Sequence, residues 1–227
     1  MRATLPSLLS LNAGYVDAAG FVALQGLFTT HVTGNFVTLG AALALGTPGA
    51  LGKLLALPIF CVVVIAARLL DTALANRHWP AFELLIALEV VVLATGSALA
   101  IRFGPFHDVD SPQAVLSGMV LVAAMAIQNA FHRVHLPSAP PSTIMTGTTT
   151  QVMIDLADRI YTPNRIESQS RARLVRMSTN ILFFAIGCSA AAVLYSRVGM
   201  KCFVVPPILG CLQLSVCLGG LRAPASD

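Results

Sequence analysis

The sequence predicts an all-α membrane protein of eight helical segments, six long and two short. Of its 227 residues, 56% are hydrophobic and only 11% are charged, which leaves too little polar surface to cover a soluble domain. No stretch alternates polar and apolar residues with a period of two, and a helix satisfies its own backbone hydrogen bonds in lipid. Composition and periodicity therefore predict a helical bundle in the bilayer.

The long segments approach the roughly 20 apolar residues that a spanning helix needs. They cover residues 5–28, 53–75, 81–101, 113–131, 176–196 and 202–221. Two shorter apolar segments, 31–47 and 143–157, follow the first and the fifth of these. Their length does not decide whether they cross the membrane or re-enter it.

The two short segments open on similar sequences, which indicates an internal repeat. The first opens on Thr29-Thr30-His31-Val32-Thr33-Gly34-Asn35 and the second on Ser142-Thr143-Ile144-Met145-Thr146-Gly147-Thr148. We therefore predict two four-segment repeat halves of one membrane domain, residues 1–103 and 112–222. If the short segments span the membrane, the halves are parallel repeats; if they are re-entrant, each half crosses three times and the halves are inverted.

Basic residues concentrate between the sixth and seventh segments. By the positive-inside rule, loop 159–176 of this multi-pass membrane protein is cytoplasmic. The bias holds for parallel and inverted halves alike, so charge does not choose between them. The cations of this loop are Arg159, Arg165, Arg171, Arg173 and Arg176.

Two signatures resemble a known family. They are GYVDAAGFVALQGLFTTHVTGNFVTLG, an aspartate helix leading to a His-x-Thr-Gly-Asn sequence, and AIQNAFHR followed by PSTIMTGTTTQ. Together they are similar to the YoaK family of uncharacterised bacterial multi-pass membrane proteins. The resemblance covers nearly the whole chain and implies an inner-membrane protein of similar length. It implies no substrate and no catalytic residue.

The Thr-Gly openings predict a binding site. Thr33 and Thr146 are candidate N-caps, and Gly34 and Gly147 would leave the first helical N–H groups open to a ligand. A helix N-terminus is electropositive and binds anions. If both short helices begin near the midplane, we expect their N-termini to converge on one carboxylate, phosphate-like anion or polar solute.

Polar residues in or next to the apolar segments complete the candidate site. Asp17 lies in the middle of the first segment, where a charged side chain is costly, so we interpret it as a proton, cation or solute ligand or as a hydrogen-bonded structural group. His31 is a candidate gate or proton relay, with a hydrogen bond at the membrane interface as the alternative. The full predicted substrate-binding set is Asp17, His31, Thr33, Gly34, Asn35, Gln128, Asn129, Thr146, Gly147, Thr148 and Gln151.

Three acids are candidates for proton coupling: Asp17, Glu89 and Asp155. The alternative for Glu89 is an interhelical ion pair with Arg68, because charges buried in membranes usually pair. The alternative for Asp155 is a pair with Arg159 at helical spacing.

The sequence predicts a membrane transporter or channel for a small polar or anionic solute, with a site at the repeat interface. An intramembrane enzyme acting on a lipid-like substrate and a structural or assembly protein are the alternatives. No motif in the sequence indicates a catalytic residue, cofactor, metal site or nucleic-acid partner. The expected partners are the bilayer and a small solute, and the oligomeric state is left open.

Overall fold

A computed structural model describes residues 5–143, 145–161 and 168–221, with no side-chain description for residues 168–170 and 220–221. This part of the chain is helical and contains no strand, which confirms the all-α prediction. Its eight α-helices are α1 Leu5–Ala23, α2 Gly34–Leu45, α3 Ala50–Asn76, α4 Ala81–Phe103, α5 Pro112–His135, α6 Met145–Tyr161, α7 Ser168–Val198 and α8 Val205–Leu221. A 3-10 helix, Gly199–Val204, joins α7 to α8.

Two helix ends differ from the prediction by five residues or more. The first helix ends at Ala23 instead of residue 28, because Gln25 and Gly26 take positive φ angles of 47° and 94°, which a helix does not accommodate. Helix α7 begins at Ser168 instead of residue 176. Its first turns carry Arg171 and Arg173, so apolarity alone does not mark them as helical.

Hydropathy and length identify four candidate membrane spans within the described residues. They are Ala50–Asn76, Ala81–Phe103, Pro112–His135 and Arg171–Gly219, the last of which contains most of α7 and α8. Helix α1 falls outside this set although it is long enough, since it carries Asn12 and Asp17. Both of these side chains are buried in the bundle.

Contacts between α1, α7 and α8 establish their relative directions. Ser7 Oγ lies 3.4 Å from Asn180 Oδ1, and one to two turns further along both helices Gly187 packs against Leu11 and Tyr15, so α1 and α7 are parallel. Tyr15 donates to the Cys202 carbonyl and Gln213 to the Leu8 carbonyl. Helix α8 therefore runs antiparallel to α1.

The remaining long helices are oriented by six further contacts. The Gly49 N–H donates to Asp110, and Asp71 binds His135, so α3 and α5 are parallel. The Phe82 ring stacks on His135 and Gly96 packs on Leu121. Helix α4 is therefore antiparallel to α5. The pairs Val90–Gly210 and Gly104–Met200 make α4 antiparallel to α8.

These directions divide the long helices into two sets. Helices α1, α4 and α7 run one way, and α3, α5 and α8 run the other. We call the end where α1 finishes at Ala23 and α3 begins at Ala50 end A, and the end where α3 finishes at Asn76 and α4 begins at Ala81 end B. The chain enters and leaves α2 at end A and enters and leaves α6 at end B, so neither short helix runs from one end to the other.

Each short helix begins inside the bundle. The chain after α1 folds back until it contacts Asp17, which lies six residues before the end of α1. The chain after α5 folds back in the same way until it contacts Asn129, which lies six residues before the end of α5. At the helical rise, six residues correspond to about 9 Å. Helix α2 then packs on α3 and α6 packs on α7. This arrangement fits the re-entrant alternative and not the eight-crossing one.

The buried apolar residues form two clusters along the bundle. One lies towards end A and includes Val16, Leu93, Leu121 and Phe203. The other lies towards end B and includes Leu9, Ile86, Phe131 and Cys217. Apolar side chains also cover the outside of the bundle, where Val37 is 76% exposed, as expected for a surface whose solvent is lipid.

Candidate functional site

The carboxylate of Asp17 binds the loop that precedes α2. Its Oδ1 accepts hydrogen bonds from the backbone N–H groups of Thr29, Thr30 and His31, at 2.9, 2.7 and 3.4 Å. The side chain is buried and lies on α1, so these bonds hold the loop inside the bundle. A hydrogen bond from a backbone N–H to a carboxylate is roughly twice as strong as one between neutral groups.

The second carboxylate oxygen of Asp17 binds the ring of His31. Its Oδ2 lies 2.7 Å from Nδ1, and the histidine side chain is 34% exposed. The ring also packs edge-on against Phe184 of α7, with 5.2 Å between ring centroids. The bond to Asp17 and the contact with Phe184 fix the orientation of the imidazole, and they leave Nε2 as the ring nitrogen that does not contact the acid.

An open pocket lies beside this Asp17–His31 pair. It encloses about 570 Å³ between α1, the start of α2 and α7. Its wall is mostly apolar, with the acid and the imidazole as its ionisable oxygen and nitrogen groups. The lining residues are Asp17, Ala18, Phe21, Val22, Phe28, His31, Thr33, Gly34, Phe184 and Cys188.

Gly34 has a packing role in this pocket. A Cβ atom at that position would lie 3.0 Å from the Phe28 ring, which is tighter than ordinary van der Waals contact. The residue therefore allows α2 to begin directly against the aromatic wall. Its predicted position beside Asp17 and His31 agrees with the structure, although its predicted open N–H group does not.

The expected anion site at the start of α2 is occupied by the protein itself. The N–H groups of Gly34, Asn35 and Phe36 donate to the carbonyls of residues 31, 32 and 33, at 2.8, 3.1 and 3.2 Å. The amides just before them bind Asp17. The prediction that the first helical N–H groups are left open to a ligand is therefore wrong for α2, because nearby carbonyls and a carboxylate already accept from them.

The predicted threonine caps are also wrong. Thr33 makes no side-chain capping bond to α2, and Thr146 lies within the first turn of α6 instead of preceding it. Asn35 instead closes the loop, since its side chain accepts from the Phe28 N–H and donates to the Phe28 carbonyl. This buried residue holds the loop's shape and does not line the pocket.

The fifth helix holds its own loop by a similar set of contacts. Gln128 donates to the Leu9 carbonyl and to Ser142, and Asn129 accepts a 2.7 Å hydrogen bond from Thr143. The space beside Asn129 and Thr143 is only about 30 Å³, close to the size of a single water site. Gln128 and Asn129 therefore anchor the chain that leads into α6.

The predicted residues of α6 lie apart from the Asp17 pocket. Thr146 and Gly147 are exposed, and Thr146 lines a separate groove with Met153 on the outside of α6. Thr148 is buried and Gln151 donates to Asp155. The residues of the two Thr-Gly openings therefore lie in different pockets. The reason is that α6 packs against α7 towards end B of the bundle, whereas α2 lies towards end A.

Asp155 binds a different arginine from the one the spacing suggested. Its carboxylate accepts from Nη2 and Nε of Arg173, at 2.7 and 3.2 Å. The expected pair with Arg159 is wrong, since the buried face of α6 turns Asp155 towards α7. The bidentate contact fastens α6 to α7.

Glu89 is completely buried, and Arg68 is not its partner. The arginine binds Asp71 on its own helix, and Asp71 also binds His135 of α5. The alternative of a Glu89–Arg68 ion pair is wrong, because the Arg68 side chain is 56% exposed and lies on the outer side of α3. Within residues 5–143, 145–161 and 168–221, no three His, Cys, Asp or Glu side chains are grouped to hold a metal ion.

Sequence reasoning missed several residues that build the site. Thr29 and Thr30 act through their backbone amides, which any residue type supplies. Phe184 and Cys188 lie in an apolar helix far along the chain, where no pattern distinguishes a pocket wall from a lipid face. The repeated Thr-Gly opening is the sequence signal that pointed to this loop.

Comparisons with known proteins place the chain among membrane proteins. Residues 5–216 match a family described as a protein of unknown function, DUF1275. The UPF0700 transmembrane protein YoaK of Bacillus subtilis (strain 168) is 31% identical over 186 residues, which is 80% of this chain and 79% of that protein. No solved structure matches.

Proposed function

This chain belongs to the DUF1275 family of membrane proteins, and on that premise we propose that it is a small secondary transporter with its solute site in the pocket beside Asp17 and His31. Inverted repeats with unusually short hydrophobic segments at corresponding positions of the two halves are a common plan for secondary transporters. One observation carries this proposal: helices at corresponding positions of the two predicted halves run in opposite directions.

The proposed correspondence between the halves assigns a partner to every helix. If α1 to α4 correspond to α5 to α8, then α1 and α5, α3 and α7, and α4 and α8 run in opposite directions. The packing follows the same rule: α1 packs parallel to α7 as α5 packs parallel to α3, and α2 rests on α3 as α6 rests on α7. We therefore propose that residues 1–103 and 112–222 are inverted repeats in one domain.

The two loop anchors follow the same correspondence. Asp17 binds the amide of Thr30, 13 residues later, and Asn129 binds the hydroxyl of Thr143, 14 residues later. The pocket beside the first anchor is large, whereas the space beside the second is small. Such an asymmetry is expected of a transporter in one of two alternating states.

The charges at the two ends support one orientation. Four described cations lie towards end A: Lys53, Arg102, Arg197 and Lys201. Seven lie towards end B: Arg68, Arg77, Arg133, Arg159, Arg171, Arg173 and Arg176. By the positive-inside rule we propose that end B is cytoplasmic in the inner membrane. The Asp17 pocket then lies in the outer half of the bundle.

The chemistry of the pocket favours a neutral or cationic solute over an anion. The amides that would bind an anion already bind Asp17, and the ionisable oxygen and nitrogen groups that line the pocket are an acid and an imidazole. Phe21, Phe28 and Phe184 add aromatic faces, which attract cations. We therefore propose a small polar solute with an apolar part.

The proposal is tested by a ligand screen followed by uptake. Purified protein is heated with a panel of small neutral, cationic and anionic solutes, and a solute that binds the native state raises the melting temperature. Each stabilising solute is then offered, in radioactive form, to proteoliposomes. We expect uptake of a neutral or cationic solute by the wild type and by Asp158→Asn, and its loss in Asp17→Asn.

Two outcomes contradict the proposal. Uptake that does not exceed that of empty liposomes, for every stabilising solute, rules out transport. Stabilisation by anions alone, unaffected by Asp17→Asn, places the site elsewhere.

An intramembrane enzyme is a second candidate, favoured by the orientation of His31. A histidine that acts as a general base is often oriented by a carboxylate bound to its Nδ1 atom, as Asp17 is bound to His31. The thiol of Cys188 lines the same pocket. Release of a fluorescent alcohol from a lipid-like ester, lost in both His31→Gln and Cys188→Ser, would support this function. Equal release by these variants and the wild type would exclude it.

A further inference from the structure

A layer of buried polar side chains separates the two apolar clusters. Asn12 lies between Leu9 and Val16 on α1, and Glu89 lies between Ile86 and Leu93 on α4. Gln128 of α5 and Gln213 of α8 lie at the same boundary. All four residues are 0% exposed. Four helices thus bring one carboxyl and three amide groups to the middle of the bundle.

The two glutamines are oriented by α1. Gln128 donates to the Leu9 carbonyl at 3.2 Å, and Gln213 donates to the Leu8 carbonyl at 3.1 Å. Their donors are therefore used, while the Oε1 atom of each has no hydrogen-bond partner. Asn12, one turn further along α1, has no partner at either side-chain atom.

Glu89 has no partner at either oxygen. A carboxylate in an apolar interior without a partner is very costly, so such a group takes up a positive ligand or becomes neutral. Among the unpaired side-chain atoms of the layer, five are oxygens and one is the Asn12 nitrogen. The layer therefore holds more unpaired acceptors than donors, and a proton on Glu89 would add a donor.

No nearby charge replaces that proton. The ionisable groups on the elements packed against α4 form no ion pair or hydrogen bond with Glu89 in the described part of the chain. They are Lys53, Cys61, Arg68 and Asp71 of α3 and Arg77 directly after it, His132, Arg133 and His135 of α5, Cys211 and Cys217 of α8, and Lys201 and Cys202 of the 3-10 helix. On α4 itself they are Glu83 and Arg102.

We propose that Glu89 is a proton-binding site at the centre of the bundle, and that it couples proton movement to the solute movement proposed above. The coupling role rests on the proposed transport function, whereas proton binding does not. The two proposed halves differ at the position of Glu89, where the second half has Gln213. This follows when the sequence of α4 is aligned with that of α8, Leu88-Glu89-Val90-Val91-Val92 with Leu212-Gln213-Leu214-Ser215-Val216. One of the two matching positions therefore carries a titratable group and the other a neutral amide of the same shape.

Carbon-13 NMR of the glutamate carboxyl groups tests proton binding directly. The full chain contains three glutamates, Glu83, Glu89 and Glu167, and is labelled at glutamate Cδ in lipid nanodiscs. At neutral pH we expect one signal at the shift of a protonated carboxyl. That signal should disappear in Glu89→Gln and persist in the matched control Glu83→Gln.

Either of two results overturns the proton site. Three signals at the ionised shift would show that Glu89 carries its charge. A Glu89 signal that moves when sodium chloride replaces choline chloride at constant pH would assign the layer to a metal cation instead.

Coupling is tested in proteoliposomes with the solute found by the ligand screen. A proton gradient should raise accumulation by the wild type and by Glu83→Gln. In Glu89→Gln it should have no effect, although exchange of labelled for unlabelled solute continues. Gradient-driven accumulation by Glu89→Gln equal to that of the wild type would overturn the coupling role. If the wild type transports nothing, the transport function fails while the NMR result stands on its own.

Discussion

A Cβ atom on Gly187 of α7 would overlap the carbonyl oxygen of Leu11 of α1 and would lie 2.9 Å from the backbone nitrogen of Tyr15. The two backbones therefore touch at this crossing. Gly14 makes the reciprocal contact with the Phe184 carbonyl. Close approach through small residues is how membrane helices gain packing energy, and here it places Phe184 against the Asp17–His31 pair.

Gly187→Ala should destabilise the bundle, because the new methyl group meets backbone atoms that cannot rotate away. Overpacking of this kind costs about 1–3 kcal/mol. Thermal unfolding in detergent should show a lower melting temperature than for Gly40→Ala, a control in α2 where a Cβ would meet nothing within 4 Å. Equal melting temperatures for the two variants would contradict the close crossing.

Asp17→Ala should release the loop before α2, because three amide N–H groups lose their acceptor. Each unsatisfied donor costs about 1–3 kcal/mol. Hydrogen exchange of the peptide that covers Thr29, Thr30 and His31 should accelerate strongly in this variant and less in Asp17→Asn, whose amide oxygen can still accept. Unchanged exchange in Asp17→Ala would show that these bonds do not hold the loop.

Asp17→Ala should also bind a small carboxylate. Removal of the side chain leaves the amides and the start of α2 around an empty space, which is the anion site that α2 lacks in the wild type. Formate should raise the melting temperature of Asp17→Ala. It should not rescue Gly187→Ala, whose defect is steric, and a rescue of both variants would indicate a nonspecific salt effect.

Much of the fold could be predicted from the sequence. Apolar length located six long helices and two short ones, because the bilayer imposes a minimum length on a spanning segment. Hydropathy could not decide whether the short helices cross, since that depends on helix directions set by contacts such as Asp71–His135 and Tyr15–Cys202. These contacts join residues far apart in the chain.

The site was predicted in part. The sequence placed Asp17, His31 and Gly34 together, because the paired motifs marked one loop and one helix. It could not show that Asp17 occupies the amide site, since this requires the chain to fold back alongside α1. It paired Arg68 with Glu89 because both lie in apolar runs, whereas the structure turns Arg68 outwards.

Asp155→Ala should loosen α6, because the carboxylate joins it to Arg173 of α7. Breaking a buried ion pair costs about 3–5 kcal/mol, and the half-exposed guanidinium reduces that figure. Hydrogen exchange across Met145–Tyr161 should rise in Asp155→Ala and Arg173→Ala and stay unchanged in Arg159→Ala. Equal exchange in all three variants would mean that other contacts fasten the helix.

Cysteine labelling on both sides of each short helix tests the inverted arrangement most directly. Gln25→Cys and Thr47→Cys flank α2, Ser138→Cys precedes α6 and Tyr161→Cys replaces its last residue; all four positions are exposed. Each variant is treated with a membrane-impermeant maleimide in intact and in permeabilised cells, with the wild type as the blank. We predict that Gln25 and Thr47 label from outside and that Ser138 and Tyr161 label only after permeabilisation. Labelling that places the two members of either pair on opposite sides of the membrane would contradict the account.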